Sequence, residues 1–150
     1  MIRLGWSDVL RLAPPVTTGH HPGVRNAEPV LDPAILERLR ALADTSSVPG
    51  EDILSELVRL FERDSEARLL QLTALWRAGA AREVARCAHT LKGSASQLGA
   101  VRVVAVAADI EAAAAADVDT AQLARLRSEV SAATGALRAF ASSARSHLRA

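Results

Sequence analysis

Apolar residues return at three- and four-residue intervals along most of this chain, and that spacing constrains the fold more than any other feature. Leu36, Leu39 and Leu42 share one face at about 100° per residue. So do Ile53, Leu57, Leu60 and Phe61, continued by Leu69, Leu72, Leu75 and Trp76. Val84, Ala88, Leu91, Ala95 and Leu98 form another stripe, and Leu123, Leu126, Val130, Ala133, Leu137 and Phe140 a last one. A half-buried strand would instead alternate every second residue. The hydrophobic share is 49%, but aromatics are only 3% and Tyr is absent, so alanine supplies much of the apolar content. Alanine favours helix and lets helix axes approach closely, whereas a sheet would want Val, Ile and aromatic runs. The expectation is an all-α fold.

Punctuation divides the pattern. Asp32-Pro33 reads as an N-cap followed by Pro at the first helical position, opening a short helix that ends near Asp44 to Ser47. A loop with Pro49-Gly50 follows, then a long helix from about Ile53 that Gly79 stops. The charged patch Glu62-Arg63-Asp64-Ser65-Glu66 is expected to kink this helix or split it in two. A third helix runs from about Arg82 to Leu98 and is stopped by Gly99. A fourth spans about Val101 to Ala115. A final one starts at Asp119 or Thr120 and reaches about Ser146. Four such helices with short loops predict an antiparallel four-helix bundle over residues 31–150, with a short additional N-terminal helix.

At 150 residues the chain has room for one domain. Residues 1–30, broken by Pro14-Pro15, Gly19, Pro22, Gly23 and Pro29, read as a flexible tail. Ile2, Trp6, Val9 and Leu10 could form a short amphipathic turn there, for docking or for packing on the bundle. His20-His21 lacks further ligands nearby, so no metal site is expected. Eighteen Lys and Arg against 17 Asp and Glu leave a charge of +1, which argues against nucleic acid and against an anionic membrane as partners. A single cysteine, Cys87, excludes an internal disulfide and suits a reducing compartment. No uncharged apolar stretch reaches membrane-spanning length, and the N-terminus has no signal-peptide core, so a cytoplasmic monomer is expected.

The helix over residues 82–98 carries the chemistry. Opposite its apolar stripe lie Arg82, Arg86, His89, Lys92, Gly93 and Ser96. A purely structural histidine would sit among the leucines; His89 does not. Lys92 is the only lysine of the chain and follows His89 by three residues, close enough to serve the same ligand. Gly93 follows by four. Mid-helix glycine costs about 1 kcal/mol relative to alanine, and in an alanine-rich chain it suggests close approach by something to the backbone. An exposed imidazole is nucleophilic near neutral pH, and an ammonium one turn away neutralises phosphate oxygens. No Gly-rich nucleotide loop and no acidic metal cluster accompanies them. The set points to relay of a phosphoryl group, without ATP and without kinase activity. Cys87 falls nearer the core edge and reads as packing, and His147 as a surface residue of the last turn.

Residues 88–99, Ala-His-Thr-Leu-Lys-Gly-Ser-Ala-Ser-Gln-Leu-Gly, resemble the signature of the histidine-containing phosphotransfer (HPt) family of two-component phosphorelays. Residues 53–61, Ile-Leu-Ser-Glu-Leu-Val-Arg-Leu-Phe, resemble the family's preceding helix, and Ala107-Ala108-Asp109-Ile110-Glu111 its following one. The resemblance covers about residues 31–145. It implies that His89 accepts a phosphoryl group on Nε2, that Lys92 meets the phosphate, and that Gly93 lets a partner close in. It implies that Glu111 orients the imidazole through Nδ1. Arg82, Arg86, Ser96 and Gln97 are candidates for partner contact. The implied partners are a response-regulator receiver domain and a histidine kinase or hybrid kinase. No cofactor is expected on this chain, with Mg2+ only in the receiver. The family's acidic helix cap is absent, since Gly79 is followed by Ala80-Ala81. The competing function is a non-phosphorylated helical module that binds and inhibits a receiver or kinase.

Overall fold

The computed structural model describes residues 28–45, 53–113 and 117–148, and among these every regular element is helical. The helices are α1 (Pro33–Asp44), α2 (Ile53–Arg77), α3 (Ala81–Gln97), α4 (Val101–Ala112) and α5 (Thr120–Leu148). Packing runs α2 on α3, α3 on α4, α4 on α5 and α5 back on α2. Helices α2 to α5 therefore close an antiparallel ring, the expected four-helix bundle, with α1 as the additional N-terminal helix. The expected tail and its apolar turn over residues 1–27, and His20-His21, lie outside the described residues.

The helix boundaries follow from local chemistry. Asp32 caps α1, its carboxylate accepting the Ala34 amide at 2.8 Å, with Pro in the first turn. Gly79 (φ 68°) and Gly99 (φ 72°) adopt the left-handed conformation that ends α2 and α3. In both turns the amides of the glycine and of the next residue fold back on the preceding helix. Gly79 N bonds Trp76 O and Ala80 N bonds Leu75 O; Gly99 N bonds Ser96 O and Ala100 N bonds Ala95 O. Asp119 and Gln122 form a reciprocal capping pair at the start of α5: Asp119 accepts the Gln122 amide at 2.7 Å, and Gln122 accepts the Asp119 amide at 3.0 Å. The start of α3 has no side-chain cap at Ala80.

The core stripes close on one another. Phe61, Leu72, Leu91, Ile110, Leu126 and Leu137 are wholly or almost wholly buried. The charged patch does not split α2, which runs unbroken for 25 residues. The reason lies at Ser65, which is fully buried and continues the inward stripe from Leu54, Leu57, Val58 and Phe61 toward Leu72. Its charged neighbours point outward, where Glu62 pairs with Arg138 of α5 and Asp64 lies 3.9 Å from Arg68.

The segment before α1 is tied to the bundle. Arg102 donates two hydrogen bonds to the Glu28 carbonyl, and the Asp32 amide bonds the Gly99 carbonyl at 2.8 Å. Ile35 packs against Gly99 so closely that a Cβ there would lie 2.9 Å from the Ile35 Cβ. Gly99 thus serves both the positive φ and the seat of α1.

Candidate functional site

The α3 core stripe is buried as its spacing requires: Val84, Ala88, Leu91, Ala95 and Leu98 are each no more than 1% exposed. That fixes the rotation of the helix. Cys87 turns toward α2, its thiol 3.6 Å from the Arg68 carbonyl. Burial pushes the Cys87 thiol up, the Arg68 charge opposes this and Asp64 adds to it; the net shift is upward. The group stays a thiol and packs, as its position suggested. His89 turns the other way, toward α4 and solvent, with its side chain 67% exposed.

Glu111 reaches across from the next helix. Its Oε1 lies 2.6 Å from His89 Nδ1, and its Oε2 accepts from Lys92 Nζ. One carboxylate therefore serves two cationic-type donors. Burial pushes the Glu111 carboxyl up, but the Lys92 and His89 hydrogen bonds and charges outweigh it, and the pKa lies below the ordinary value. An ionised carboxylate can only accept, so the short contact requires a proton on Nδ1. In the neutral ring that leaves Nε2 with its lone pair free, on the exposed edge.

The other sequence candidates fall in two groups. Arg82 and Arg86 are exposed on the first turns of α3, and Gly93 is exposed with nothing within 4 Å of where a Cβ would stand. These keep company with His89 on the open face. Ser96 is half-buried, and Gln97 turns its amide oxygen into the protein, buried and without a hydrogen-bond partner. Lys92 donates to Glu111, a partner that spacing along α3 did not foresee. The signal available in the sequence was that Asp109 and Glu111 are the two acidic residues of a largely apolar helix, Val101–Ala112.

Among the described residues no group of three or more His, Cys, Asp or Glu side chains could hold a metal ion, and no helix is long and apolar enough to cross a membrane. A groove between α2 and α5, lined by Ser55, Val58, Arg59, Arg138 and Arg145 among others, includes none of the site residues.

A family model described as the Hpt domain matches residues 56–144. Among solved structures, the chain is similar to histidine-containing phosphotransfer protein B (HptB) from Pseudomonas aeruginosa PAO1. The likeness has 25% sequence identity and a TM-score of 0.64, and it covers 77% of this chain and 97% of that one. No curated protein matches the chain significantly.

Proposed function

The chain belongs to the Hpt domain family and is a phosphotransfer protein of phosphorelays, and on that premise we propose that His89 is its phosphoacceptor, exchanging the group with the aspartate of a response-regulator receiver domain. Hpt domains are phosphocarrier modules and not kinases, and their partners are two-component proteins. The observation that carries the residue assignment is the 2.6 Å contact between Glu111 and His89 Nδ1 on an otherwise open face. It supports an imidazole held in the tautomer whose Nε2 can attack phosphorus in line.

Each neighbour then has a role. Glu111 orients the ring and keeps the proton on Nδ1. Arg82 and Arg86 face an acidic rim around the receiver's aspartate, where charge complementarity steers encounter. Gly93, with open space above it, lets that recessed aspartate come within bonding reach of Nε2. On this reading any Mg2+ belongs to the receiver, and the phosphoryl group comes from a partner protein. A cytoplasmic location goes with this reading.

The test is to mix the chain with a phosphorylated receiver domain and follow the label. The expected product is acid-labile, base-stable phosphate on this chain. A chain that binds the receiver yet stays unlabelled would be an inhibitory interaction module.

Gly93 supplies an independent check. Gly93→Ala is expected to raise stability by up to about 1 kcal/mol, because the position is helical and unobstructed. Gly93→Leu keeps the fold for the same reason but stands in the partner's path. Thermal melts paired with transfer rates should show stability holding while transfer falls with side-chain size. Wild-type rates in both variants would mean that close approach is not why glycine stands there.

A further inference from the structure

We propose that the open groove between α2 and α5 is a second docking site, and that it takes a short acidic segment of a partner protein with apolar side chains at its centre. The groove lies at the opposite seam from the candidate phosphoacceptor. The helices pack in the ring α2, α3, α4, α5, so the α2–α5 seam faces away from the α3–α4 seam where His89 and Glu111 meet. The proposal does not depend on the chemistry of His89.

The seam opens because its side chains become small. Along the inward face of α5, Leu126, Val130 and Leu137 give way to Ala141 and Ala144. Ala141 and Val58 of α2, 2% and 5% exposed, form an apolar floor. The space above them is about 380 Å³. Pockets that hold ligands run from about 300 to 1,000 Å³. On α5 the groove extends from Arg138 to Arg145, about 10 Å or two helical turns. That length suits a short segment and not a broad domain face.

The rim sets the charge of the occupant. Arg59, Arg138 and Arg145 line the groove, and among the described residues no acidic side chain does. Two of these arginines hold carboxylates that stand outside the lining: Arg59 pairs with Glu56 at 3.0 Å, and Arg138 pairs with Glu62. The two arginine side chains are 70% and 61% exposed, and ion pairs so exposed hold weakly. An incoming carboxylate therefore replaces or joins either partner at little cost. It gains a planar guanidinium that can bind both its oxygens. The hydroxyls of Ser55 and Ser142 add polar contacts along the walls.

The same features weigh against other occupants. A nucleic-acid backbone calls for a broad basic surface, whereas Glu56 and Glu62 stand beside this rim in a chain of net charge +1. A second copy of the chain would need exposed apolar and acidic side chains together. Among the described residues its one exposed large hydrophobic, Leu70, shares a helix face with Arg63 and Arg77 as well as Glu66. An acidic segment with apolar side chains matches both floor and rim.

The experiment selects random phage-displayed peptides on the full wild-type chain and, in parallel, on the full chain carrying Arg59→Gln and Arg138→Gln. Selected peptides are then titrated into nitrogen-15-labelled protein. The wild-type arm alone should enrich peptides with Asp and Glu around Leu, Ile or Phe. These should shift the amides of Val58, Arg59, Ala141 and Ser142 and leave those of His89 and Gly93 in place. Affinity should fall about tenfold in the arginine variant, roughly what one charged hydrogen bond is worth. Ser142→Leu, which fills the groove without removing a charge, should weaken binding as well, with circular dichroism confirming the helices of both variants. His89→Gln should bind the peptides as wild type does. No acidic enrichment, shifts centred on His89, or unchanged affinity in both groove variants overturns the proposal. So does inorganic phosphate that produces the same shifts at the same affinity, since the groove would then be a simple anion site. Failure of the wild type to take label on His89 overturns the phosphoacceptor reading and leaves the docking result standing.

Discussion

His89→Gln is expected to abolish phosphoryl acceptance while leaving the melting temperature nearly unchanged. The side chain is 67% exposed and lies outside the α3 core stripe, so its replacement removes almost no buried apolar surface. Surface changes of this kind usually fall within about 0.5 kcal/mol. Glutamine can still donate an N–H to Glu111, which keeps that carboxylate satisfied, but its amide offers no nucleophilic nitrogen. Circular dichroism melts and transfer from a phosphorylated receiver measure the two halves of the statement. Retained transfer in this variant would place the acceptor on another residue.

Two positions further along the same helix the opposite result is expected. Leu91 is fully buried, on the face of α3 turned away from solvent. Leu91→Ala removes its packing against the bundle interior and leaves a cavity, at a cost of about 2–5 kcal/mol. For a chain of this size that lowers the melting temperature by about 2–4 °C for each kcal/mol. Phosphoryl acceptance at temperatures where the variant stays folded should persist, because no site residue is touched. The pair His89 and Leu91 thus separates chemistry from stability on one helix, and a Leu91→Ala variant as stable as wild type would mean that α3 is rotated from the orientation described.

Much of this architecture could be read before any coordinates. The stripes of Leu, Val and Ala state which face of each helix goes inward, and glycines at 79 and 99 state where two helices stop. The facing of His89 follows from the Val84 to Leu98 stripe alone, because rotation about one axis is set by a single buried face. Ser65 escaped that logic. A serine amid Glu62, Arg63, Asp64 and Glu66 looks like part of a polar break, and only the facing helices show that its small side chain occupies a core position. The Lys92–Glu111 bond escaped it too. Spacing along α3 puts Lys92 near His89 but cannot say which of several partners its flexible stem selects. That choice depends on how α4 is set against α3. The seat of α1 is similar: Gly99 reads locally as a helix stop, while its second role, clearing room for Ile35, belongs to a contact between residues 64 positions apart. Trp76, read as one more apolar position, also donates its indole N–H to the Val118 carbonyl at 2.8 Å and ties the entry to α5 to the end of α2. Local pattern thus gives elements and faces; partners across helices need the packing.

The most direct measurement is the position of the phosphoryl group itself. The chain, uniformly labelled with nitrogen-15 and charged by a phosphorylated receiver domain, is examined by phosphorus–nitrogen correlation NMR. Phosphorus bonded to Nε2 of His89, with the proton on Nδ1, is the expected result, since Glu111 occupies the Nδ1 edge and leaves Nε2 to solvent. Phosphorus on Nδ1, or on any residue other than His89, would contradict it.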